Sequence, residues 1–107
     1  MGIARLSLAA IGMVIAATQV HGQEPGDRQK GRVLARQVCA ECHTVGRRLS
    51  RPPNAEAPSF AAVASTPGMT AMALNVFFQT SHKNMPNFIL TADQTREIIA
   101  YIMSLKK

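Results

Sequence analysis

Cys39-Ala40-Glu41-Cys42-His43 is the stretch on which the reading of this chain turns. Two thiols three positions apart share one face of a helical turn, and an imidazole follows the second at once. Both sulfurs can then meet the two vinyl groups on one porphyrin edge, with His43 placed to reach the iron. A bare CxxC is ambiguous among thiol redox, zinc and haem chemistry. The added histidine is the mark of c-type haem attachment.

The competing readings are weaker. A structural zinc site takes four ligands, usually from two such cysteine pairs, and the chain has two cysteines and three histidines, His21, His43 and His82. A mixed set of Cys39, Cys42, His43 and His82 is the remaining zinc option, and a local disulfide between Cys39 and Cys42 is the other structural one. A thioredoxin-like redox pair belongs in a βαβ setting. No strand pattern of that kind is present.

Arg5, the apolar run Leu6 to Ala17 and the stretch Thr18 to Gly22 read as the three regions of an export signal, with cleavage expected near Gly22. Twelve residues are too few for a free-standing membrane span, which takes about 20. Retention of the segment as an anchor is the alternative; in either case the folded part is expected outside the cytoplasm, in the periplasm. Removing residues 1–22 from the 107 leaves 85, one small domain at 23–107. Only Arg5 among the charged residues is lost, so the formal charge falls from +6 to +5. A domain this small, with no Trp, one Tyr and four Phe, is near the limit of what a side-chain core supports. A large apolar cofactor would supply the missing core.

Past residue 22 the pattern predicts an all-α domain of three main helices. Asp27 is placed to cap the first, with Val33, Leu34 and Val38 on its apolar side, and this helix leads into Cys39. Gly46, Arg47, Arg48, Pro52, Pro53 and Pro58 rule out regular helix after His43 and predict a wrapped loop. The second helix is expected from about Thr70 to Thr80, where Leu74, Phe77 and Phe78 recur at helical spacing. In the third, Thr91 and Gln94 form a capping box ahead of the stripe Ile98, Ile99, Tyr101, Ile102 and Leu105, and Lys106 and Lys107 suit its negative end.

Between the last two helices lies Ser81-His82-Lys83-Asn84-Met85-Pro86-Asn87-Phe88. A thioether is a soft donor suited to haem iron, and a His/Met pair raises the potential of such centres. Pro86 holds Met85 in extended backbone, which projects its side chain from the loop. Met72 and Met103 fall inside helix patterns, where methionine serves as core filler, and Met69 follows Pro67-Gly68; Met85 is the preferred donor. His82 is either a second imidazole ligand or, in the reading preferred here, a loop side chain.

Taken together, these motifs resemble the small monohaem class I c-type cytochromes of the bacterial periplasmic type. The resemblance runs through Gly31, Cys39 to His43, Pro58-Ser59-Phe60, His82 to Pro86 and Ile98 to Leu105. It implies the cytochrome c fold around one covalent haem c, with Cys39 and Cys42 as thioethers, His43 as proximal and Met85 as distal iron ligand. It also implies close approach of Gly31 to Ile98 and Tyr101. Ala35 departs from the pattern, since many members carry an aromatic ring there, and a looser contact between the terminal helices is expected. Pro52 or Pro53 is a candidate to offer its carbonyl to His43.

With both axial positions filled, the iron has no open site, and the expected role is one-electron carriage without substrate turnover. The chain would shuttle between respiratory or dehydrogenase partners and an oxidase or reductase. Two alternatives are a haem-based sensor, in which Met85 dissociates to admit a small ligand, and a docked electron-accepting subunit of an oxidoreductase. Arg28, Lys30, Arg32 and Arg36 before the motif and Arg47, Arg48 and Arg51 after it suggest redox partners with acidic surfaces. A monomer is expected, with membrane association only through partners or an uncleaved N-terminal segment. Nucleic acid is not an expected partner, because the basic charge comes without a recognition motif.

Overall fold

The computed structural model of the chain describes residues 25–48 and 50–107, together with residues 2, 12–14 and 16. The expected signal segment, residues 1–22, therefore lies almost wholly outside the described residues. The described part is helical, with α1 (Arg28–Val38), α2 (Phe60–Ala64), α3 (Ala71–Phe78) and α4 (Ala92–Ser104). No strand occurs among the described residues.

Each helix starts where a side-chain oxygen meets the unpaired amides of its first turn. Asp27 accepts from Gln29 N at 2.8 Å and Lys30 N at 3.2 Å. The Lys30 amide, then that of Gln29, holds its carboxyl below the ordinary carboxylate value. Ser59 caps α2 and Thr70 caps α3 through the amides of Ala62 and Ala73. At α4 the expected capping box is complete: Gln94 N donates to Thr91 Oγ1 at 3.1 Å and Thr91 N to Gln94 Oε1 at 2.9 Å.

Helix α4 is the hub on which α1, α2 and α3 all pack. Its stripe of Ile98, Ile99, Tyr101 and Ile102 is buried, as is Leu105 just beyond it. The most extensive contact is with α1, and its cause is Gly31: a Cβ there would collide with the Glu97 carbonyl and lie 3.0 Å from Tyr101 Cβ. Gly26 meets the Arg96 and Glu97 backbone in the same way. Gly31 thus approaches Tyr101 as expected, and its nearest neighbour is the Glu97 backbone.

Val33 and the end of α4 depart from expectation, and a short helix is added. Val33 is 56 % exposed, because it stands two residues from both Gly31 and Ala35, about 200° around the helix from the face that meets α4. Ala35 is fully buried where α1 meets the core. A fourth helix, α2, follows Pro58; at five residues it is too short to display a helical period, and Ser59 starts it locally. The C-terminal end of α4 also differs, since Arg47 Nη2 donates to Ser104 O at 3.0 Å while Lys106 Nζ reaches Met69 O at 3.4 Å.

Gly31→Ala should lower stability by about 1–3 kcal/mol, the usual cost of overpacking a close contact. Urea unfolding of the haem-loaded protein checks this.

Candidate haem site

The motif begins where α1 ends. Cys39 is the C-cap of the helix, and its amide donates to Ala35 O at 2.8 Å. The chain then makes one more turn, with Cys42 N at 3.2 Å and His43 N at 3.0 Å from Cys39 O. This turn brings the two cysteines together with the histidine, as the spacing requires. Both thiols are free; Cys39 is buried and Cys42 half-buried. Burial pushes the Cys39 thiol from its ordinary 9.0 up to about 11.

His43 is fixed through one ring nitrogen. Its Nδ1 lies 2.6 Å from Pro58 O. A carbonyl only accepts, so Nδ1 carries the proton and Nε2 keeps its lone pair. Neither Pro52 nor Pro53 supplies this carbonyl. The acceptor comes from the residue just before the Ser59 cap, where the Phe60 amide also donates to Thr44 O at 2.9 Å. The His43 ring leans on Phe60, with centroids 5.4 Å apart, and Phe60 on Tyr101 at 6.4 Å. Tyr101 in turn donates its hydroxyl to Val45 O at 2.5 Å. The loop after the motif is pinned further by Asn54 N to Cys42 O at 3.1 Å and Thr44 Oγ1 to Ser50 O at 2.9 Å.

Met85 is half-buried in the loop between α3 and α4. Asn87 Nδ2 donates to Ser81 Oγ at 3.3 Å and holds the two sides of that loop together. Among the rival thioethers, Met72 is 71 % exposed, and Met69 and Met103 pack against the core. His82 turns back onto α3: its Nε2 lies 2.8 Å from Phe77 O and 3.3 Å from Thr80 Oγ1, and its ring stacks on Phe77 with centroids 3.5 Å apart. Among the described residues no three His, Cys, Asp or Glu side chains group to hold a metal ion, so the mixed zinc set is not assembled.

Two free thiols on one turn and an imidazole with Nε2 available fit haem c; Met85 belongs to a separate element, the loop between α3 and α4. Pro58 is the participant missed by the sequence reading; its place directly before a Ser59 helix cap is the signal that pointed to it.

The fold and this donor set define a class of electron-carrying haem proteins, and the comparisons agree. The family model Cytochrome c matches residues 28–106. The chain is 36 % identical over 104 residues to Cytochrome c-552 of Bradyrhizobium diazoefficiens, covering 94 % of this chain and 97 % of that one. No solved structure matches it. This chain belongs to the cytochrome c family; its cofactor is covalent haem c with iron, and the family supports an electron-carrier role.

At pH 8, iodoacetamide should label Cys39 later in the folded haem-free chain than in the urea-unfolded one, because a thiol at about 11 forms roughly a hundredfold less thiolate than an ordinary one at 9.0. Peptide mass spectrometry reads the difference. Since the unfolded chain ionises Cys39 first, folding of that chain should also weaken as pH rises from 9 towards 11. Tyr101→Phe leaves the buried Val45 carbonyl without its donor and should cost about 1–3 kcal/mol, measurable by urea unfolding of the haem-loaded protein.

Proposed function

We propose that this chain is a periplasmic one-electron carrier in which Cys39 and Cys42 hold haem c as thioethers. His43, through Nε2, and Met85 would ligate its iron. The observation that carries this reading is the contact of His43 Nδ1 with Pro58 O at 2.6 Å. A ligating imidazole almost always donates its other N–H to a carbonyl or carboxylate, which fixes the tautomer, orients the ring and makes the ligand more basic.

When bound, haem supplies one-electron exchange between ferric and ferrous iron. The residues of the chain do the rest. His43 and Met85 would hold the iron between them and leave it no position for a substrate, so no turnover of its own is expected of the protein. Phe60 and Leu74, both buried, contribute apolar surface to the core that adjoins the motif and lower the local dielectric. Pairing of His82 with Phe77 O supports Met85 over His82 as the distal donor.

The export pattern of residues 1–22 supports the periplasmic placement. Among the described residues no helix is long and apolar enough to cross a membrane. On this reading the carrier is a monomer that shuttles between a donor and an oxidase or reductase of a respiratory chain.

Optical redox titration of protein matured with haem c should give a reversible one-electron couple at positive potential. Met85→Ala should lower it substantially and open the iron to carbon monoxide, while His82→Ala should leave carbon monoxide excluded. Carbon monoxide binding by the unsubstituted protein would overturn the carrier assignment in favour of a sensor.

A further inference from the structure

Helix α1 and the loop after the motif enclose a cleft of about 780 Å³. Arg28, Arg32 and Arg36 line one side and Arg47, Arg48 and Arg51 the other. We propose that this cleft binds a small linear polyanion of the oligophosphate class.

Of the six, Arg47 donates to Ser104 O. Among the described residues no acidic side chain lines the cleft, and the one ion pair, Arg96 with Asp93, lies within α4. Like charges four residues apart on a helix destabilise it, yet three arginines stand at that spacing on α1. An anion bound between them would relieve that repulsion.

The shape selects the kind of anion. Eight residues of helix rise about 12 Å, so the α1 guanidiniums form a row with a repeat of about 6 Å. That row suits an elongated ligand carrying several charges along its length. The cleft volume lies within the range of roughly 300–1,000 Å³ typical of small-molecule sites. All six charges are arginine forks, which pair with phosphate oxygens two at a time; the lysines of the chain lie outside the cleft.

The cleft is also held in place before any ligand arrives. Arg47 is anchored on Ser104 O, and the loop wall is tied by Tyr101 to Val45 O and by Thr44 to Ser50 O. A protein partner fits less well, because such interfaces centre on exposed apolar anchors. The exposed large apolar residues of the folded part, among them Met72, Val76, Phe77, Phe88 and Ile89, are absent from this lining.

The test is calorimetric titration of the haem-loaded protein with inorganic tripolyphosphate at low and high salt. Saturable binding with one equivalent is expected, weakened by salt. Arg32→Gln, Arg36→Gln and Arg48→Gln should each weaken it about tenfold, the worth of one charge-assisted hydrogen bond. Lys30→Gln and Lys83→Gln remove the same charge outside the cleft and at high salt, where the Debye length shrinks to about 3 Å, should change it less than about twofold. Equal weakening by the lysine variants would overturn the site, leaving only the general field of a basic protein. Absence of tripolyphosphate binding would overturn it as well. So would arginine-dependent binding of a polyglutamate peptide or of phosphatidylglycerol vesicles under conditions where tripolyphosphate does not bind, which would assign the cleft to an acidic protein or to a membrane.

Discussion

Backbone contact between α1 and α4 at Gly31 is the constraint on which the rest of the domain depends. Two helices can approach this closely only where one of them has no side chain, and Gly31 against the Glu97 carbonyl is that place. The contact sets where α1 ends relative to α4, and so where Cys39 starts the turn that carries the other thiol and the imidazole. A larger residue at 31 would displace the motif along with the helix.

From that anchor the site is assembled by contacts that return the loop to α4. Tyr101 holds Val45, Arg47 holds Ser104, and Phe60 fills the space between His43 and Tyr101. The aromatic chain from His43 through Phe60 to Tyr101 joins the ligand to the helix hub. Pro58 completes it by accepting from Nδ1, which leaves Nε2 as the only nitrogen with a lone pair to offer. Packing of the core and tuning of the histidine are therefore one structural event.

The two sides of the domain divide the electrostatic and apolar work. Arginines gather around the cleft between α1 and the loop after the motif, whereas Val76, Phe77, Phe88 and Ile89 are exposed on α3 and the loop that follows it.

The sequence by itself determined whatever depends on neighbours a few residues apart. Helical periodicity located α1, α3 and α4; side-chain oxygens at Asp27, Thr70 and Thr91 determined where they begin; and the Cys39 to His43 spacing named the cofactor chemistry. Tertiary structure alone decided the rest. Pro58 rather than Pro52 or Pro53 meets His43, Val33 faces outwards, His82 folds onto Phe77, and Arg47 closes the end of α4. The contacts that secure the site join residues 15, 56 and 57 positions apart. A local pattern carries no information about such distances, because they are set by the angle and depth at which α1 and α4 pack.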